Sequence, residues 1–191
     1  MFTGRIARAL APVLMVVFAA GCGYNTIQTY DEQVNAAASQ IKVQLQRRAD
    51  LIPNLVETVK AYAKQEQTVF TEVAEARAKL AGAVQSGDLQ QMAQANAQLT
   101  APLGRLLAIA ENYPQLKSNE NFRALQDQLE GTENRIAVAR QDYNETVNRY
   151  NAYIRRFPQV LTAKVLGKGP RPYFELETPG AAQAPKVDFS K

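Results

Sequence analysis

Residues 47–56 of the chain read RRADLIPNLV, and they place a proline inside an apolar helical pattern. The apolar residues on both sides continue in steps of three and four, so the helical phase passes through Pro53 unbroken. A proline inside a helix removes one hydrogen bond and crowds the carbonyl four residues earlier, here that of Ala49. This stretch therefore decides how the first half of the chain folds.

Two arrangements are open for this stretch. The chain forms either one long helix kinked at Pro53 or two helices, the second capped by Asp50 with Pro53 in its first turn. One helix over 26–84 would be about 90 Å long at 1.5 Å per residue, far longer than its neighbours. We therefore favour two helices, although continuous phase favours one.

The rest of the chain predicts two further helices and an irregular end. Gly87 and Asp88 form a turn, because glycine suits the end of one helix and aspartate the N-cap of the next. A third helix is predicted over about 89–112 and a fourth over about 118–157, separated by Tyr113-Pro114. Four helical segments with short connections predict an all-α, antiparallel up-and-down bundle over 22–166. Residues 167–191 are rich in Pro, Gly and Ala and predict an irregular C-terminal tail.

Composition excludes several kinds of chemistry. The chain has no histidine and one cysteine, Cys22, so the commonest general base and a thiolate metal cage are both lacking. We predict no catalytic residues, no cofactor and no metal site, and hence no enzyme. A formal net charge of +4 without a basic cluster also predicts no nucleic-acid partner.

The first 22 residues have the features of an export signal. Arg5 and Arg8 precede the apolar residues 9–20, a run too short to span a bilayer. Its end, Ala19-Ala20-Gly21-Cys22, resembles the lipobox of bacterial lipoproteins. That resemblance implies a signal peptide over 1–21, an acylated Cys22 and a domain outside the cytoplasm. It also favours the outer membrane, because residue 23 is glycine rather than aspartate; the alternative is a signal anchor.

Ordered motifs along nearly the whole chain resemble those of the LemA family of bacterial membrane-associated proteins. They are Tyr24-Asn25, residues 47–56, Tyr62-Ala63 with Glu66, Ala76-Arg77, residues 111–117 with Asn119 and Phe122, Leu125-Gln126, Leu129, Glu133, Ala139-Arg140, Tyr143-Asn144, Tyr150-Asn151, Phe157-Pro158 and residues 184–189. The resemblance implies a helical bundle held at a membrane by its N-terminus, with no established enzymatic activity. It supplies no catalytic residues.

Polar residues on the apolar stripes have two interpretations. Asn144, Asn148 and Asn151 share one helix face, either as a polar groove for a peptide or glycan or as buried residues that set helix register. The second is favoured. Arg48 and Glu66 also fall on a stripe and predict ion pairs, with Glu133, Asp50 and Arg140 as candidate partners, because an unpaired buried charge is costly.

These observations favour binding over catalysis. We expect an envelope adaptor or scaffold that contacts another envelope protein; the alternatives are a self-associating structural element or, less favoured, a small-ligand carrier or envelope enzyme. The oligomeric state stays open. The candidate structural or interaction residues are Arg47, Arg48, Asp50, Pro53, Asn54, Glu66, Glu111, Tyr113, Pro114, Glu133, Arg140, Tyr143, Asn144, Tyr150 and Asn151.

Overall fold

The structure is a computed structural model that describes residues 23–174. This part of the chain is all-α, as predicted, and contains no strand. Its helices are α1 (Tyr24–Lys60), α2 (Gln67–Ser86), α3 (Leu89–Ile109), a 3-10 helix (Ala110–Asn112), α4 (Pro114–Lys117), α5 (Glu120–Ile154) and α6 (Gln159–Val165). The predicted signal peptide, Cys22 and residues 175–191 lie outside the described residues.

Residues 23–174 divide into two compact units. The first contains residues 23–48 and 126–173, and the second contains residues 49–125 and Phe174. The long helices α1 and α5 therefore each contribute to both units.

The core of the first unit comes from one apolar stripe on each of its two long helices. From α1 it buries Ile27, Val34, Ile41 and Leu45, and from α5 it buries Leu129, Ile136, Tyr143, Val147, Tyr150 and Ile154. These residues recur at helical steps of three, four or seven, the spacing of one face of a helix. Each large side chain removed from water contributes roughly 1.5–3 kcal/mol before the entropy of ordering it is counted.

The second unit is built on the packing of α2 against α3. Both helices bury apolar side chains at helical spacing, among them Val73, Leu80 and Leu99. The connection between them is the predicted turn. Gly87 has φ 75°, a left-handed conformation that glycine adopts without a steric cost, and the Asp88 carboxylate accepts from the backbone N–H groups of residues 90 and 91 at 2.8 and 3.1 Å.

Two helices precede Gly87, as favoured, but the break between them lies at residues 61–66 and not at Pro53. Helix α1 continues from Tyr24 to Lys60 with Pro53 inside it, and Asp50 is an exposed residue of the helix rather than an N-cap. Continuing the helix keeps Ile52 and Leu55 buried on one apolar stripe, which a turn at this point would disrupt. Packing of the stripe has outweighed the preference for shorter helices.

The carbonyl that Pro53 leaves without its usual helical partner is hydrogen-bonded from another helix. Pro53 has no N–H, so it cannot donate to the oxygen of Ala49. Nε of Arg77, on α2, donates to this oxygen over 3.2 Å. An unsatisfied buried carbonyl costs about 1–3 kcal/mol, and the hydrogen bond from Arg77 removes this part of the cost of the proline.

The alternative of one helix over 26–84 is also wrong, because residues 61–66 leave the helical conformation between α1 and α2. Glu66 was expected on a helical stripe with an ion-pair partner. It is instead the half-buried N-cap residue of α2, and its side chain makes no cap hydrogen bond. The stripe on which Glu66 was placed assumed a helical phase that the chain does not keep through this connection.

The later helices match their predicted ranges closely, with two additions. Helix α3 and the 3-10 helix together cover 89–112, and α5 ends three residues before Phe157. The short helices α4 and α6 were not predicted. Pro114 is the first residue of α4, where its missing N–H costs no helical hydrogen bond.

We expect Arg77 and Pro53 to be energetically coupled. Arg77→Ala should lower the free energy of unfolding by about 1–2 kcal/mol, because the Ala49 carbonyl loses a charged donor. Pro53→Ala restores an N–H that reaches this carbonyl within the helix, so Arg77→Ala should cost about 1 kcal/mol less in that background. Urea unfolding of the four proteins measures the coupling. Lys79→Ala, an exposed change on the same helix, is the control; an equal cost of Arg77→Ala in both backgrounds would contradict this account.

Candidate functional site

Residues 167–173, which we call the C-terminal strap, are tied to α1 by an acid-base cluster. Asp31, on α1, is 7% exposed and accepts from Nζ of Lys168 at 2.6 Å and from Nη2 and Nε of Arg171 at 2.7 and 3.1 Å. A charged donor is present on both sides of the carboxylate, so the buried charge is compensated. The strap is non-helical, as predicted for this part of the chain, but it is packed against the first unit.

The strap is also held by side chains of α5. The amide of Asn151 donates to the carbonyl of Arg171 at 2.9 Å and accepts from its N–H at 2.8 Å. The hydroxyl of Tyr143 donates to the carbonyl of Pro172 at 3.0 Å. Since Pro170 and Pro172 have no N–H, Arg171 offers the backbone donor in this part of the strap, and Asn151 takes it.

This arrangement answers in part what the asparagine stripe does. Asn151 is buried and hydrogen-bonded, as the favoured interpretation requires, but its partner is the strap backbone rather than a facing helix. Asn148 is exposed and accepts from the hydroxyl of Tyr173 at 3.4 Å, and Asn144 is half-buried. Asn151 and Asn148 therefore bind the strap through hydrogen bonds.

The charges around Asp31 stabilise its ionised form. Burial alone raises the pKa of Asp31, but the hydrogen bonds from Lys168 and Arg171 outweigh it, and the net pKa lies below 3.8. The same hydrogen bond raises the pKa of Arg171. The buried hydroxyl of Tyr150 is close enough for Asp31 to add to the effect of burial, which raises the pKa of this phenol. Burial likewise raises the pKa of Tyr143, so neither tyrosine is poised as a base at neutral pH.

A second buried charge of the first unit is paired as predicted. Nη1 of Arg48, a residue 5% exposed, donates to a carboxylate oxygen of Glu133 on α5. Burial lowers the pKa of Arg48, and the Glu133 carboxylate opposes that shift. Glu133 is itself half exposed, so water solvates the acid while the base is enclosed. Removing either partner would leave the other charge less compensated, so the pair stabilises the packing of α1 against α5.

Two connections of the second unit are joined by their tyrosines. Tyr62 accepts at its hydroxyl from Nδ2 of Asn119 at 3.1 Å, and Tyr113 accepts from Nε2 of Gln65 at 3.0 Å. Oδ1 of Asn119 accepts from the N–H of Phe122 at 3.0 Å, so the same side chain caps the start of α5. The motifs around 62–66 and 111–119 thus hold the two connections together.

The candidate residues do not converge on one site. Arg47, Arg48, Glu133, Arg140, Tyr143, Asn144, Tyr150 and Asn151 belong to the first unit, and Asp50, Pro53, Asn54, Glu66, Glu111, Tyr113 and Pro114 belong to the second. Of these, Arg47, Asp50, Asn54 and Glu111 are exposed, and Arg140 is half-buried. Most of the others take part in the contacts described above, and those contacts stabilise each unit. The contacts of Arg77 and of the strap were not predicted.

An open groove lies between α1 and α5 in the first unit. It encloses about 480 Å³. It is lined by Ala37, Gln40 and Gln44 from α1 and by Asn134, Val138 and Asp142 from α5, among others. Residues 23–174 hold no group of His, Cys, Asp and Glu side chains that is arranged to bind a metal ion.

None of the helices within residues 23–174 is both long enough and apolar enough to cross a lipid bilayer.

Similarity to known proteins covers most of the chain. The model of the LemA family matches residues 37–189, a range that includes the strap. Magnetosome protein MamQ 2 and Magnetosome protein MamQ 1 of Paramagnetospirillum magneticum are each 29% identical over 180 residues, with 82% of this chain and 66% of each relative covered. Magnetosome protein MamQ of Magnetospirillum gryphiswaldense is 28% identical over the same coverage. The chain thus spans about two thirds of the length of these relatives.

The stabilisation from Asp31 should depend on pH in a defined direction. Because its folded pKa is lower than its unfolded pKa, the contribution is complete above the unfolded value and is lost as the pH falls through the folded value, below 3.8. At neutral pH, Asp31→Asn should lower the free energy of unfolding by about 1–3 kcal/mol. The difference from the unchanged protein should shrink below about pH 4 in urea titrations. The control is Asp127→Asn, an exposed acid of the same unit; a difference that stays constant with pH would contradict the pairing.

Proposed function

The chain belongs to the LemA family, and on this premise we propose that it is a membrane-anchored protein of the bacterial cell envelope that acts by binding, as an adaptor or scaffold for another envelope protein. One observation carries the proposal. Most polar residues of the family-like motifs form hydrogen bonds within their own unit, whereas the groove between α1 and α5 is open. A surface of this kind supports recognition of a partner rather than catalysis.

The proposed membrane attachment is an acyl group on Cys22. Helix α1 begins at Tyr24, two residues after the cysteine, so an acyl group on Cys22 would attach next to the first unit. Several acyl chains hold a protein stably at a bilayer, at about 0.8 kcal/mol for each buried CH₂. The relatives are named magnetosome proteins, and a membrane-surface role is in keeping with that name. The domain would lie on the periplasmic side, with the outer membrane favoured by Gly23.

The partner proposed for the groove is a segment of an envelope protein that presents small apolar and amide side chains. Ala37 and Ala139 leave room for close approach of such a segment, while Gln40, Gln44 and Asn134 supply donors and acceptors. Val138 adds apolar area that is 58% exposed in this chain. A second copy of the chain is the rival occupant, and it would make the protein a self-associating element.

The anchor is tested by intact-mass analysis of the protein purified from its native membrane. We expect a chain that begins at Cys22 and carries acyl mass, and we expect Cys22→Ser to lose both that mass and its retention in the membrane fraction. Ser39→Ala, which changes an exposed residue of α1, controls for nonspecific loss. An unmodified, full-length N-terminus would exclude the lipoprotein anchor and favour a signal anchor.

The groove is tested by photo-crosslinking in cells. A photoreactive residue at position 138 should form an adduct with one envelope protein, and the same residue at Gln141, which is exposed on α5, should not. Gln40→Trp fills the groove from an exposed position and should abolish the adduct, whereas Ser39→Trp, one residue away, should leave it. An adduct between two copies of the chain would replace the adaptor with the self-associating element. An adduct insensitive to Gln40→Trp would overturn the groove as the binding surface.

A further inference from the structure

Three exposed apolar side chains lie in α6 and just before it, in the first unit. Phe157, Leu161 and Val165 are 80%, 55% and 86% exposed. Leu161 and Val165 are one helical turn apart on α6, and Phe157 precedes the helix by two residues. The other face of α6 buries Thr162 and Ala163. Two of the three large apolar residues of this short helix therefore face away from the buried side, the reverse of what packing of the fold alone requires.

The patch lies in a stretch of chain that is entirely basic among its charged residues. Residues 150–174 contain five Lys and Arg residues and no Asp or Glu. Two of them, Lys168 and Arg171, are paired with Asp31. The other three, Arg155, Arg156 and Lys164, are exposed and close in sequence to Phe157 and Val165. Exposed apolar side chains next to cations in one short segment match the chemistry of an anionic lipid surface, where the acyl boundary takes the former and the headgroups take the latter.

The position of Gly23 connects this patch to the proposed anchor. A Cβ at residue 23 would lie 3.1 Å from Cγ of Gln159 and 3.4 Å from the hydroxyl of Tyr153. The first residue after Cys22 thus sits against the start of α6.

We propose that Phe157, Leu161 and Val165, with Arg155, Arg156 and Lys164, form a membrane-docking patch that inserts into the interface of an anionic bilayer beside the lipid anchor. This inference rests on the proposed membrane attachment and deepens it. With seven residues, α6 is far too short to span a membrane, so it lies in the interface plane. The patch gives the anchored domain a fixed orientation, because attachment at Cys22 alone would leave the domain free to rotate.

The test uses the full-length acylated protein reconstituted in vesicles. Acylation consumes the sulfur of Cys22, the one cysteine of the chain, so Leu161→Cys introduces a single free thiol for an environment-sensitive fluorophore. Val43→Cys is the matched control, because Val43 is 56% exposed against 55% for Leu161 and lies on α1 of the same unit, outside the lining of the groove. The vesicles are of phosphatidylcholine, with or without phosphatidylglycerol.

We expect the label at position 161 to shift to an apolar emission and to lose access to a water-soluble quencher on vesicles that contain phosphatidylglycerol. The label at position 43 should stay aqueous. Exchanging Arg155, Arg156 and Lys164 for Gln should lower the docked population by about fivefold per cation, on phosphatidylglycerol only. Equal aqueous exposure at 161 and 43 in vesicle-bound protein would overturn the patch while leaving the anchor intact.

Two other outcomes separate the patch from its premise. A label at 161 that is already shielded without vesicles would show that the patch is covered by a second copy or by another segment of the chain, and it would also overturn the proposal. If native Cys22 carries no acyl group, the lipid anchor fails by itself. The Cys22→Ser, Leu161→Cys chain added to the same vesicles then tests the patch directly, and an aqueous label there would overturn it.

Discussion

The continuation of helix α1 through Pro53 depends on a hydrogen bond to the backbone carbonyl of Ala49. A proline at this position leaves that oxygen without its helical donor, and the helix continues because Arg77 supplies another one. The cost of the proline is thereby turned into a contact between α1 and α2. The donor is Nε of a guanidinium, a planar group that loses less entropy for each hydrogen bond it forms than a flexible lysine ammonium does.

In the strap, too, side chains from a helix satisfy backbone groups that have no partner of their own. Residues 167–173 have no helix or sheet in which to satisfy their backbone, and two prolines remove donors from them. Asn151 and Tyr143 supply partners for this backbone, and Asp31 holds the two cations. An irregular segment of this kind is ordered by polar contacts rather than by apolar burial. Its stability therefore depends on the charge state of one buried acid.

The parts of the fold that were predictable depend on local signals. The turn at Gly87-Asp88 follows from a glycine and an aspartate in adjacent positions, and the stripes of α1 and α5 follow from helical spacing. The break favoured at Pro53 was wrong because a length argument outweighed the phase of Ile52 and Leu55, although phase reports what is buried. The prediction of a buried ion pair for Glu66 was wrong for the opposite reason, because the helical phase was extended beyond the end of α1 at Lys60.

The site was less predictable because its contacts join distant parts of the chain. The pairing of Arg48 with Glu133 was within reach, since both residues fall near apolar stripes and a buried arginine requires an acid. Asp31 and Arg171 are 140 residues apart. Asp31 falls on the apolar stripe of α1, between Ile27 and Val34, and so requires a base, but Arg171 lies outside any helical pattern that would mark it as the partner. Two prolines flanking an arginine were a usable signal, because they leave one backbone donor that the fold must satisfy.

The start of α1 lies against α6, since a Cβ at Gly23 would be 3.1 Å from Cγ of Gln159. Asp31 is eight residues after Gly23, about 12 Å along α1, so the acid that holds the strap lies close to the start of the helix. The strap follows directly on α6 and returns to α5 through Asn151. Because Asp31 engages Lys168 and Arg171, the remaining cations of residues 150–174 are Arg155, Arg156 and Lys164, and these are the ones assigned to the proposed docking patch.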